Sequence, residues 1–209
     1  MMRRRSSNAA AALPLAFLLA LALGGCGSLL TSRTPSPVTY VLRPAASAAQ
    51  PAADAAPSLQ VQRVASAPGY ARDEILLTQP DRRLDIYASS RWPDTLPVVV
   101  ERLVVDALRR RGAWSVVHDA AAPYAADRLL RVTVRRFDAE YSAAGRPPTV
   151  RVVFDATLAR RGERTVVAAF SVEGSAVASE DRMSAIVAAF EQASGEALAA
   201  LAERAAQGR

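Results

Sequence analysis

The sequence predicts a two-layer α/β fold of the α+β-like kind: a mixed, largely antiparallel sheet with a C-terminal three-strand meander, covered by two amphipathic helices. Three observations predict it. Apolar residues recur at helical spacing in two stretches, one after Trp92 and one after Ser179. Between these stretches, three long segments alternate apolar and polar residues around turn signals. Ahead of the first helix lie several short β-prone runs, and helices with one apolar stripe bury it against a sheet face.

With 209 residues, 51% of them hydrophobic, the chain has room for one domain with a sizeable core plus targeting segments. The expected division is a signal at 1–25, an N-terminus and tether at 26–37, and a folded domain at 38–205 with a flexible Ala/Pro loop at 43–57, while the composition itself turns balanced and mixed near Leu59.

Arg3, Arg4 and Arg5 form a positive n-region, and the apolar run Ala9 to Leu23 forms the h-region of an export signal. The run is short for a membrane span, which needs roughly 20 apolar residues in helix. It ends in LALGGCGSLL, residues 21 to 30, which holds the chain's one cysteine. Leu23-Gly24-Gly25-Cys26 resembles a bacterial lipobox, with cleavage after Gly25 and lipid attached to the Cys26 thiol. A single exported cysteine has no internal disulfide partner, and acylation removes the free thiol. No cofactor beyond that covalent lipid is expected.

The formal net charge is +6, carried by arginine alone. Cleavage removes three arginines and no acid, so 23 basic and 20 acidic residues remain and the mature charge is +3. That modest balance gives nucleic-acid binding no support. Gly27, rather than Asp, follows Cys26, which in its resemblance to lipoprotein sorting signals favours an outer-membrane anchor facing the periplasm. Residues 27–37, GSLLTSRTPSP, read as a polar tether in which Pro35 and Pro37 discourage helix.

The folded elements follow in order. Tyr40-Val41-Leu42, Leu59 to Val64, Ile75 to Leu77 and Leu84 to Tyr87 read as short strands with one covered face, the last two split by a turn at Pro80-Asp81. A helix then carries Leu96, Val99, Val100, Leu103, Val104, Ala107 and Leu108 on one face, with Asp94 or Thr95 as N-cap and Gly112 past its end. Trp114 to Val117 is a further strand. The meander runs over about 128–140, 148–160 and 164–175, with a return at Arg161-Gly162-Glu163. At Arg136-Phe137 the alternation reverses, which predicts a β-bulge, since a period of two tolerates no slip. A long helix over about 180–203, capped by Ser179, closes the domain.

The chemistry-bearing inventory is thin. His118 stands beside Asp119 at a strand end, and the sequence has no nucleophile elbow, zinc helix or phosphate loop. The expectation is a protein that is not an enzyme and binds no metal. Arg131, Arg135, Arg151 and Arg160 on the strand faces are able to meet anionic head groups or an acidic partner, or to form an ordinary solvated face. Trp92 reads either as a core anchor or as an exposed interface residue.

The order of features resembles the ABC-type transport auxiliary lipoprotein family, which includes PqiC-like lipoproteins. It rests on the lipobox Cys26, the strand at 40–42, Tyr70 to Leu77 as Tyr-x4-Ile-Leu-Leu, and Leu84-Asp85-Ile86-Tyr87 through Arg91-Trp92 into a helix. The resemblance implies a non-catalytic outer-membrane lipoprotein that works with a periplasmic MCE-domain protein and an ABC transporter permease and ATPase in lipid transport between membranes. It also implies a possible homo-oligomer, with Trp92, Arg131 and Arg135 as candidate interface residues. A structural or assembly lipoprotein of the envelope, unlinked to a transporter, is the rival reading.

Overall fold

The computed structural model describes residues 36–45, 50–51, 56–143, 145–162 and 165–208. The signal, Gly25, Cys26 and most of the tether therefore lie outside the described residues, as does Glu163 of the predicted return.

Among the described residues, nine strands and two helices form the predicted two layers. The long meander is β7 (Arg128–Glu140), β8 (Thr149–Arg160) and β9 (Val166–Val177), paired antiparallel throughout. Three short strands line the other edge of β7, all parallel to it: β2 (Leu59–Val61), β3 (Ala65–Ser66) and β4 (Glu74–Thr78). Beyond β2 lies β6 (Val117–His118), and beyond β4 lie β5 (Leu84–Arg91) and then β1 (Val38–Thr39). Hence β2 and β6 flank the Arg128 end of β7, whereas β4, β5 and β1 flank its Glu140 end.

Both helices cover one face. In α1 (Leu96–Arg111) the buried residues are Leu96, Val99, Val100, Val104, Val105 and Leu108, close to the predicted stripe. Gly112 adopts a left-handed φ of 65° at its C-terminus, and a Cβ there would sit 2.6 Å from the carbonyls of Gln50 and Pro51. The second helix, α2 (Met183–Gln207), lies across β8 and β9. By length and composition α2 would suit a membrane span, yet 61% of its most apolar window is buried within the domain. Its buried face is largely alanine, which lets helix and sheet backbones approach closely.

Several expected boundaries shift. The first strand is Val38–Thr39 rather than 40–42, because after the Tyr40 N–H bonds the Arg91 carbonyl at 2.8 Å the chain leaves the edge to bury Leu42. The run 59–64 breaks into β2 and β3: one extra residue between Val61 and Ala65 lets the Val64 N–H reach the Glu101 carboxylate on α1 at 3.1 Å. The strand expected at 114–117 is Val117–His118, with Trp114 buried ahead of it. Residues Ile75, Leu76 and Leu77 are buried on both faces of β4, since the turn over 67–72 crosses the outer face. There Gly69 packs against Leu84, and Tyr70 reaches Asp138.

The helix starts differ from the expected caps. Thr95 holds the N-cap position of α1 without a side-chain cap bond; the Asp94 carboxylate instead accepts from the Thr95 N–H at 2.8 Å. The second helix begins at Met183, with Arg182 at the N-cap, so Ser179, Glu180 and Asp181 precede it. The predicted bulge is present, between Val134 and Arg136.

Within the Ala/Pro loop expected at 43–57, the described residues Arg43 and Gln50 are bonded to the helices. The Arg43 N–H bonds Glu191 at 2.8 Å, and the Gln50 N–H bonds the Arg110 carbonyl at 2.9 Å. Arg111 joins the Gln50 side chain at 2.8 Å to Glu203 of α2.

Candidate functional site

The core aromatic cluster decides the first candidate. Trp92, at the end of β5, is 1% exposed and stands edge-on to Phe137 at 6.0 Å and to Phe190 at 5.3 Å, while those two rings stack at 5.2 Å. Trp92 therefore ties β5, β7 and α2 together, and the expectation of an interface role is corrected: its indole has no surface to present. A tryptophan opening a helix carries the same local signature in either role.

Arg131 and Arg135 sit where the alternation placed them, on the sheet face opposite the helices, both exposed. Each has a neighbour. Arg131 Nε donates to Gln62 at 3.4 Å, Arg135 pairs with Asp155 of β8 at 3.4 Å, and Arg151 pairs with Glu140 at 2.6 Å. Such solvated pairs contribute about 0 to 1 kcal/mol, so these side chains can exchange partners cheaply.

Just past the bulge the same face changes character. Asp138 is fully buried and accepts from Tyr70 at 2.9 Å, Thr78 at 2.7 Å, and Arg136 at 3.1 and 2.9 Å. Burial raises the Tyr70 hydroxyl above the ordinary phenol range, and the Asp138 charge adds to the shift. The hydrogen bond to Asp138 holds the Arg136 guanidinium more firmly protonated. A second chain runs from Tyr87 to Tyr141 at 3.0 Å and on to Asp181 at 2.5 Å, closing the gap between sheet and α2. Burial raises both tyrosines. Sequence reading missed these networks; the signal was the bulge, which turns Arg136 and Asp138 to one side.

His118 and Asp119 do not form a dyad. The His118 ring leans on Tyr124, with centroids 5.6 Å apart, and the Asp119 carboxylate accepts from the Ala121 and Ala122 N–H groups at 3.0 Å. Among the described residues, no three His, Cys, Asp or Glu side chains converge to hold a metal ion. What the surface offers chemically is charge and hydrogen bonding on a rigid sheet, with a groove of about 340 Å³ between α1 and α2 beside Pro44, Ala45 and Gln50.

This architecture, a long meander with short parallel strands on its inner edge and two helices on one face, is shared with other structures. The crystal structure of XCC0632 from Xanthomonas campestris matches with a TM-score of 0.66 at 23% identity, covering 83% of this chain and 94% of that one. The crystal structure of an uncharacterized protein matches at 0.62 and 18% identity, over 80% of this chain and 97% of its own. At these identities the likeness establishes the fold. No curated protein sequence matches the chain. The family whose model matches residues 40–202 is the ABC-type transport auxiliary lipoprotein component. The chain belongs to that family, and so to the lipoproteins associated with ABC transport systems of the cell envelope.

Proposed function

We propose that this chain is the outer-membrane lipoprotein subunit of an MCE/ABC-type intermembrane lipid transport system, a non-catalytic part that docks the periplasmic MCE-domain protein. The observation that carries this reading is the family match across residues 40–202. The lipobox Leu23 to Cys26 supports anchoring through the Cys26 thiol, and Gly27 supports the outer membrane. Two or more acyl chains would make the attachment durable, at about 0.8 kcal/mol per buried CH2. The exposed outer face of the meander, with Arg131 and Arg135, is the surface offered to a partner, which includes a second copy of the chain.

The test is affinity capture of the full-length lipoprotein from detergent-solubilised envelopes. Recovery of an MCE-domain protein with permease and ATPase supports the proposal. Recovery of envelope structural proteins without any transporter component overturns it in favour of a structural or assembly role.

A further inference from the structure

At one edge of the sheet, β5 is longer than the strand that covers it. β1 pairs only with its last two residues, Val38 with Ser90 and Thr39 with Arg91, so among the described residues no strand pairs with the outer edge of 84–88. The pairs Leu76–Ile86 and Thr78–Leu84 place Leu84 and Ile86 on the sheet face where Thr78 meets Asp138, and there they are 40% and 39% exposed. Asp85 and Tyr87 turn the other way, and the bond from Tyr87 to Tyr141 fixes the strand from behind. Val38 and Val41, on β1 and just past it, are exposed as well. Sheet edges normally carry charge or proline against association, so apolar side chains gathered on one mark a surface that something covers.

The turn from β4 into β5 adds a basic tip. Arg83 pairs with Asp81 at 3.8 Å, which leaves Arg82 as the net charge of 79–83. Arg82 holds a left-handed φ of 69°, which Gly or Asn adopts more cheaply, so an arginine stands at this tip against a conformational cost. A guanidinium beside exposed aliphatic groups suits a bilayer surface, where the charge stays at phosphate level and the apolar groups pass below it.

Chain length selects that occupant. Val38 follows Cys26 by 12 residues, which span at most about 40 Å. β1 is therefore the first strand that an acylated Cys26 holds near lipid, and β5 is its neighbour.

We propose that the β1–β5 edge, through Leu84, Ile86 and Arg82, lies on the surface of the bilayer in which the chain is anchored. This depends on the acyl anchor at Cys26 proposed above. Two aliphatic side chains do not hold a protein on a membrane by themselves. The edge orients a domain that the acyl chains already retain, and it leaves β9, at the far side of the sheet, turned away from the lipid.

The test uses the full-length lipoprotein, purified with its anchor and reconstituted in vesicles of phosphatidylethanolamine and phosphatidylglycerol. Cys26 is the chain's one cysteine, and an acylated thiol takes up no thiol-reactive nitroxide. A label then attaches only where Ile86→Cys, Leu84→Cys or, exposed on β9, Ala169→Cys provides a thiol. A nitroxide in lipid is open to oxygen and shielded from a water-soluble nickel chelate. In Ile86→Cys, or in Leu84→Cys should the first fail to fold, oxygen accessibility should rise and nickel accessibility fall relative to Ala169→Cys. A water-exposed label at 86 on protein that still floats with the vesicles overturns the surface contact and leaves the anchor standing. Shielding from both reagents means that protein, such as a second copy of the chain, covers the edge, and it overturns the proposal, as does equal lipid exposure in Ala169→Cys. Labelling of the unsubstituted protein reveals a free Cys26 thiol and overturns anchor and contact together.

Discussion

Arg136 and Asp138, two residues apart on β7, form a bidentate ion pair on the outer sheet face, with Nε to Oδ1 at 3.1 Å and Nη2 to Oδ2 at 2.9 Å. Asp138 is 0% exposed and Arg136 33%, so the cost of separating them is asymmetric. Arg136→Gln strands a buried carboxylate on the Tyr70 and Thr78 hydroxyls and should destabilise the domain by about 3 kcal/mol or more. Adding Asp138→Asn removes the stranded charge, so the double variant should be more stable than Arg136→Gln alone. Denaturant midpoints of the variants, read as a double-mutant cycle, check this. A double variant less stable than Arg136→Gln would show that the pair is not coupled in this way.

The tyrosines around those networks set an alkaline limit. Tyr70, Tyr87 and Tyr141 all have folded-state values raised above the ordinary 10.0, chiefly by burial, with Asp138, Tyr141 and Asp181 respectively as the next causes. Above about pH 10 the unfolded chain releases these phenol protons while the folded chain keeps them. The contribution to stability is therefore intact below that pH and falls as pH rises through and beyond it. Unfolding midpoints measured from neutral pH upward should decline in this range, and the decline should be shallower in Tyr87→Phe. An unchanged slope in that variant would remove Tyr87 from the explanation.

Two glycines are expected to respond in opposite directions. A Cβ at Gly174 of β9 would lie 2.0 Å from the Ala193 carbonyl oxygen and 2.9 Å from the Ala197 nitrogen, both backbone atoms of α2. Gly174→Ala must push the helix off the sheet, and a loss of about 3 kcal/mol or more is expected. At Gly195, within α2, the nearest atoms would be Pro44 Cβ at 3.7 Å and the Ala45 carbonyl at 3.8 Å, ordinary contacts. Gly195→Ala should stabilise by up to about 1 kcal/mol through helix propensity. Thermal unfolding of the two variants reads both signs.

The contrast between those glycines also shows what a sequence can and cannot disclose. Periodicity located the meander, both helices and the bulge near Arg136, because side-chain period is a local property of the chain. It did not disclose that Gly174 lies under Ala193, nor that Arg128 faces Arg160 across a pair 32 residues apart, since both depend on register and helix docking. Trp92 was ambiguous for a related reason: its partners Phe137 and Phe190 come from distant segments. The bonds of Arg43 and Gln50 in the Ala/Pro loop escaped notice because single bonds, such as Arg43 to Glu191, leave no periodic trace. Trp92→Ala should therefore cost about 3 to 5 kcal/mol of stability, as loss of a core aromatic does, when unfolding is followed by denaturant.

Cys26 carries the remaining prediction, since the proposed anchoring rests on one thiol. Cys26→Ala removes the nucleophile that accepts the lipid, so signal processing at Gly25 should fail or divert. The domain from Val38 onward contains no cysteine, so the variant should fold with an unchanged melting temperature. What changes is location: membrane fractions should hold the original protein through high-salt washing and lose the variant once its signal is removed. Salt matters because a domain held only by its arginines would detach as ionic strength rises, whereas an acyl anchor would not. Retention of Cys26→Ala through the wash, with its signal removed, would mean that something other than acylation fixes the protein to the membrane.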